Sequence, residues 1–280
     1  MRKSKISLSV LLVAVLALGV YAGCGKKDSV KVLKMATTTS TDNTGLLDYL
    51  APKIKKGTGI ELLWVAVGTG KALELGKNCD VDVLLVHAPA AEKKFVADGH
   101  GINRAEVMYN DFVIIGPAKD PAGIKGKSIN DTMKTILAKK ALFASRGDNS
   151  GTHKKELSLW KAAGVKVPEK AKWYLQTGQG MLNTINIAAE RDGYTMTDRG
   201  TFIKYENTHK GNPPLVILVE KDKDLLNQYS LIEVNPEKCG NAKNDLAKEL
   251  IKWMVSSAGQ GAIADFKLMD KKLFTPNAEK

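Results

Sequence analysis

Cysteine is scarce in this chain, three residues in 280, and none of the three falls in a Cys-x-x-Cys pair or a Cys/His cluster. Structural zinc, which needs closely spaced thiolate and imidazole ligands, is therefore not expected, nor is any other protein-ligated cation. Aromatic residues make up only 6% of the sequence. The tryptophans, Trp64, Trp160, Trp173 and Trp253, are not interleaved with basic residues, so they read as packing residues and not as a platform for stacked bases. There is no Gly-x-Ser-x-Gly elbow, and Gly68-Thr69-Gly70-Lys71 lacks the full P-loop spacing. No repeat of 20 to 50 residues can be aligned, which excludes solenoids and propellers.

Net charge is +12, with 42 basic and 30 acidic residues. Basic character points to anionic partners, namely nucleic acid, a membrane surface or small oxyanions. The N-terminus narrows the choice. Arg2, Lys3 and Lys5 precede an apolar run from Ile6 to Ala22 that ends in small residues, the layout of a secretory signal over residues 1–23. An uncleaved anchor helix is the alternative, although a span needs about 20 apolar residues. Tyr21-Ala22-Gly23-Cys24 is similar to a lipobox, with Tyr21 where Leu is commonest. Cys24 is thus the candidate for lipidation, with residues 24–29 as a polar tether and the lipid as the only membrane attachment. An exported chain meets little nucleic acid, so none is expected. Cys79 and Cys239 then remain either as a disulfide pair or as two separate buried small residues, and sequence cannot measure the Cα separation that decides between them.

Short apolar runs alternate with amphipathic stretches throughout, the rhythm of an α/β fold with mostly parallel strands. Strands are predicted at Val32–Ala36, Ile60–Val67, Val81–Val86, Val107–Ile115, Ala141–Ala144, Tyr194–Thr197, Leu215–Val219 and Leu231–Val234. Helices are predicted at Asn43–Lys56, from Gly70, from Pro89 to Gly99, and at Gly151–Ala163, Met181–Glu190 and Leu246–Phe266. The rhythm restarts after Gly116-Pro117. That break suggests that a second lobe begins at residue 116.

One local design recurs: an apolar strand runs into Thr, Ser and Gly and then directly into a helix. It occurs at Thr37-Thr38-Thr39-Ser40, at Gly68-Thr69-Gly70, and at Ser145-Arg146-Gly147-Asp148-Asn149-Ser150-Gly151-Thr152, with weaker relatives at Gly178-Gln179-Gly180-Met181 and at Thr195-Met196-Thr197-Asp198. In a parallel sheet such junctions gather at the carboxyl ends of the strands. Each offers unpaired backbone N–H groups at a helix N-terminus, and Ser or Thr adds a hydroxyl donor. A deprotonated oxyanion has only acceptors, so a cavity that strips its water needs donors on all sides and should avoid carboxylates. Arg146 is the one guanidinium within a junction, able to hold two oxygens at once. Any single junction is better read as an ordinary helix N-cap, and only the three together favour a binding site; Asp148 reads as a capping or Arg-orienting group.

Two other classes of function need weighing. Ser150 or Thr152 with His153 suggests a nucleophile and base, but no third member is identifiable. Arg146-Gly147-Asp148 is an adhesion-type triplet, one that a receptor could not reach at a buried junction. His87 and His100 read as structural or turn residues.

Taken together, the motifs at residues 36–41, 64–70, 82–89, 145–153 and 194–201 resemble, in order and over nearly the whole mature chain, the periplasmic tungstate-binding proteins of ABC importers. The resemblance implies a type II solute-binding fold: two parallel-sheet lobes joined by two crossovers, lobe one over residues 30–115 and 219–280 and lobe two over 116–218, with the ion in the cleft between them. It implies donors from Thr37, Thr38, Ser40, Gly68 and Thr69 in lobe one, and from Arg146, Ser150, Gly151 and Thr152 in lobe two, with Gly180 and Met181 as further candidates. It implies a monomer without a cofactor or catalytic residues that hands tungstate, or the closely similar molybdate, to the permease and ATPase of an importer.

Overall fold

The computed structural model describes residues 30–278. The signal at 1–23, Cys24 and most of the tether lie outside them. Nine strands carry the architecture: β1 (Lys31–Thr38), β2 (Ile60–Val67), β3 (Val83–Val86), β4 (Gly101–Pro117), β5 (Phe143–Ser145), β6 (Tyr174–Gln176), β7 (Tyr194–Asp198), β8 (Leu215–Val219) and β9 (Leu226–Val234). The helices are α1 (Thr39–Asp42), α2 (Leu46–Thr58), α3 (Thr69–Lys77), α4 (Pro89–Ala97), α5 (Ile129–Lys139), α6 (Gly151–Ala162), α7 (Met181–Glu190), α8 (Arg199–Thr208), α9 (Asn244–Val255) and α10 (Ser257–Asp265).

The strands run in the order β2-β1-β3-β9-β4-β7-β5-β6, with β8 also on β4. β1, β2 and β3 are mutually parallel, as are β5, β6 and β7, while β9 and β4 run against their neighbours. The sheets are therefore mixed, because the two segments that link the lobes are themselves strands. β4 pairs with β9 as far as Asp111 and with β7 and β8 from Phe112 onward. The chain returns between Val219 and Leu226.

Each half is packed on both faces. Leu46, Leu47, Leu50 and Ile54, spaced to share one side of α2, are buried with Leu33, Met35 and Leu85 on one face of the first half. Val86, Phe95 and Ile232 fill its other face. In the second half, Phe143, Trp160 and Tyr174 pack on one side and Ile185, Phe202 and Tyr205 on the other. Trp160 is fully buried there as a packing residue.

Some elements differ from expectation. Leu246–Phe266 is two helices, because Ser256 is extended and its hydroxyl accepts the Gly259 N–H, capping α10. The elbow also needs Gly259, where a Cβ would lie 2.3 Å from the Trp253 carbonyl oxygen. The helix expected from Asn43 starts at Leu46, since Thr39–Asp42 forms a separate turn capped by Thr38. α5, β6 and α8 were not read from the sequence. Cys79 and Cys239 are joined by a disulfide, their Cα atoms 5.4 Å apart. Among the described residues no helix is long and apolar enough to cross a membrane.

Candidate functional site

Because β1, β2 and β3 are parallel, their carboxyl ends lie together, and those of β5, β6 and β7 do likewise in the second half. Between the two sets lies a cavity of about 410 Å³ lined by Thr38, Ser40, Gly68, Thr69, His87, Arg146, Asp148, Ser150, Gly151 and Thr152, among others. A second cavity of about 350 Å³ adjoins it, sharing Thr39, Ser40 and Arg146 and adding Gly180, Met181, Asp198 and Thr201. Junctions distant in sequence thus meet in one cleft, with Arg146 on the wall common to both cavities. The first cavity has room for a small oxyanion.

The two lobes come close here, about a methyl group apart. A Cβ built on Gly151, at the start of α6, would lie 3.4 Å from His87 Cε1 and 3.5 Å from Thr69 Oγ1. Only hydrogen occupies that gap.

Donors come from three kinds of group. α3 and α7 begin at Gly68 and Gly180 with no side chain capping their first N–H groups, which leaves those groups and the positive end of each helix to the cleft. Ser150 caps α6 by accepting the His153 N–H at 3.3 Å, with its hydroxyl beside the Asp148 carboxylate. Arg146 pairs through Nη2 with Asp148, while its buried Nε has no hydrogen-bond partner among the described residues. A buried guanidinium N–H without an acceptor is costly unless something else supplies one.

Three positions depart from the pattern read in the sequence. Thr37 does not reach the cavity: it is fully buried and its hydroxyl donates to the Leu85 carbonyl at 2.9 Å. Alternation along β1 puts it on the face of Leu33 and Met35, opposite Thr38. That parity was legible in the sequence and forbids Thr37 and Thr38 from facing the same space. A carboxylate does line the cavity, contrary to the expectation that it would avoid one. Asp148 Oδ2 is held by Arg146 and Oδ1 accepts the Ser150 N–H at 3.1 Å, so both oxygens are engaged. Burial pushes this carboxyl up, but the hydrogen bonds from Ser150 and the charge of Arg146 outweigh it and hold it below its usual range.

The third departure is His87. Of the structural and turn readings it follows the structural one, but on the cavity wall, buried with Nε2 lying 3.0 Å from Thr38 Oγ1 and 3.2 Å from Ser40 Oγ. Burial lowers its pKa, so the ring is neutral at pH 7. A lone His after a strand carries no signal until β3 is known to lie beside β1.

A catalytic pair is not assembled. His153 Nδ1 accepts the Asn149 N–H at 3.0 Å, and no bond joins its ring to Ser150. The Arg146-Gly147-Asp148 triplet folds onto itself, with Gly147 left-handed at φ 60° and a Cβ there 2.8 Å from Gln176 Cβ. Among the described residues no cluster of three or more His, Cys, Asp or Glu is arranged to hold a metal ion.

Two α/β lobes joined by two strand crossovers, with a donor-lined cleft between them, define a periplasmic-binding-protein-like solute receptor. A PBP superfamily domain matches residues 27–258. The tungstate-binding protein TupA of Campylobacter jejuni subsp. jejuni is 53% identical over 240 residues, covering 86% of this chain and 89% of that protein. The structure of the tungstate-binding protein TupA from Desulfovibrio alaskensis G20 matches with a TM-score of 0.85 at 67% identity, over 89% of this chain and 100% of that one. That of the tungstate ABC transporter from Geobacter sulfurreducens matches with a TM-score of 0.74 at 49% identity, over 84% and 98%. The chain belongs to the PBP superfamily and, within it, to the TupA family of tungstate-binding proteins.

Proposed function

We propose that this protein captures tungstate in the cleft between its lobes and presents it, enclosed, to the permease of an ABC importer outside the cytoplasm. The observation that carries the reading is the meeting of donor-bearing junctions from both lobes in one cleft, with the Arg146 guanidinium on the wall common to its two cavities. A deprotonated oxyanion supplies acceptors without bringing a proton to compete for the surrounding donors. On this reading Arg146 neutralises part of the charge, Ser40 and Ser150 donate hydroxyl hydrogens, and the first turns of α3 and α6 at Gly68-Thr69 and Gly151-Thr152 donate backbone N–H groups. Thr38 contributes from behind, as a residue that orients Ser40 and His87. Gly180 and Met181 form the adjoining cavity, with Arg146 between them and the ion.

The ion joins the lobes by accepting from both, so capture shifts the balance between open and closed forms. The importer would then distinguish loaded from empty protein by shape. No step here calls for a nucleophile or cofactor, and engagement of His153 by Asn149 supports a binder over a hydrolase. Export through the signal at 1–23 and lipidation at Cys24 complete the proposal, keeping a monomer near its transporter.

Titration calorimetry of tungstate, molybdate and sulfate into the purified protein tests it. Tungstate is expected to bind at least as tightly as molybdate and far more tightly than sulfate. Arg146→Lys, which keeps charge but loses the two-pronged geometry, is expected to weaken tungstate about tenfold or more. A preference for sulfate, or an unchanged affinity in Arg146→Lys, would sink the reading.

A further inference from the structure

His87 faces three different parts of the molecule. Toward the cleft, Nε2 meets Thr38 and Ser40. Across the cleft, its Cε1 faces Gly151 of the opposite lobe. Away from the cleft, Nδ1 lies 3.0 Å from Asn227 Oδ1. Asn227 Nδ2 in turn donates to Asn110 Oδ1 at 2.7 Å and to the Tyr229 hydroxyl at 3.3 Å, and the Tyr229 ring stacks on the imidazole at 4.7 Å.

Asn110 and Asn227 sit where the lobes are linked. They are cross-strand partners, Asn110 one residue before the last that β4 pairs with β9, and Asn227 the second residue of β9 after the chain returns. Both are buried, at 4% exposure each. The polarity of the chain follows from its ends. With Asn227 Nδ2 committed to Asn110, an oxygen faces His87, so the ring must donate from Nδ1. Nε2 is then an acceptor that takes a hydroxyl hydrogen from Thr38 or Ser40. Thr38 Oγ1 is also bonded to Thr41 Oγ1 at 2.7 Å and accepts the Thr41 N–H at 3.3 Å. It has no freedom left, and the adjustable partner is Ser40.

We infer that His87 is a positioning residue that couples the cleft hydroxyls to the hinge, holding Ser40 and Thr38 from one nitrogen and the Asn227–Asn110 pair of the two crossovers from the other while facing Gly151 of the opposite lobe. The inference rests on the oxyanion-binding reading above. Its physical content is that a ligand which draws the Ser40 hydroxyl and the start of α6 toward itself loads the imidazole from two sides, and the ring passes the load to the residues about which the lobes turn.

Asn227→Leu removes the partner of Nδ1 without altering any group that lines the cleft. Tungstate affinity is expected to fall about threefold to tenfold, the worth of a buried hydrogen bond. Combined with Ser40→Ala in a double-mutant cycle, the two losses are expected to be non-additive by at least about threefold, which a merely structural role for Asn227 would not produce. Strict additivity overturns the proposal. So does nitrogen-15 NMR of the ligand-free wild type showing the His87 proton on Nε2; Nδ1–H is expected. This measurement needs neither a foldable variant nor a ligand. Wild-type protein that binds no tungstate defeats the functional reading instead, and the NMR result still decides the arrangement at His87.

Discussion

Arg199 grips Asp111 with two parallel hydrogen bonds, Nε to Oδ1 at 2.6 Å and Nη2 to Oδ2 at 2.5 Å. Asp111 is the last residue β4 pairs with β9 before the strand passes into the other lobe. The same guanidinium reaches Glu220, at the start of the return segment, at 2.8 Å, so one side chain fastens both crossovers. Pairing with Asp111 and Glu220 holds its pKa well above the usual arginine range, so it stays charged. Arg199→Met leaves two acids facing each other at the hinge. The expected loss is about 2 kcal/mol, short of the ~3–5 for a fully buried pair because the group is partly solvated. Urea denaturation measures it, and an unchanged midpoint would show that the clamp contributes nothing to stability.

Gly151 owes its place to the opposite lobe. It has no left-handed φ to demand glycine, and a single methyl there would meet His87 and Thr69 at ordinary contact distance. Gly151→Ala is therefore expected to bind tungstate nearly as the wild type does. Gly151→Val must push the lobes apart, and overpacking of this kind predicts affinity about tenfold or more weaker with the melting temperature of the ligand-free protein little changed. Calorimetry and thermal melts of both variants check this, and tight binding by the valine variant would mean the lobes do not close on this contact.

The Cys79–Cys239 disulfide spans 160 residues of sequence. It ties the end of α3 to the segment before α9, and neither residue lines the cleft. Replacing both by serine is expected to cost about 2–5 kcal/mol, measured as a lower urea midpoint, with tungstate affinity unaltered. A variant of wild-type stability would show that the crosslink adds nothing to the packing around it.

His87 also sets a pH dependence. Its native pKa is depressed, mainly by burial, below the value of 6.5 for a free imidazole. As pH falls through 6.5 the unfolded chain takes up a proton that the native ring refuses, so the contribution is present above 6.5 and is lost toward the native pKa. Unfolding measured between pH 7.5 and 5 should show the wild type losing more stability than His87→Gln. Equal slopes in the two proteins would mean that the ring titrates normally.

Much of this molecule was legible in its residues because the relevant signals are local. Strand-to-helix junctions announce themselves by an apolar run followed by Thr, Ser or Gly and then helical spacing, and the cleft is built from those junctions. Eight of the nine principal candidates line the first cavity, and the exception, Thr37, was betrayed by the two-residue period of its own strand. The single helix expected over Leu246–Phe266 failed for an equally local reason, a serine cap whose effect depends on one glycine three residues on.

What the chain alone determined was which segments carry donors, which faces are apolar, and that an anion is the fitting guest for Ser, Thr, Gly and Arg without metal ligands. Tertiary structure decided which of those donors face one another. Hydrogen-bond partners such as His87 with Asn227, or Arg199 with Asp111, lie 140 and 88 residues apart. They meet only because β9 and β4 run antiparallel through the middle of the sheet, and no local propensity encodes that strand order.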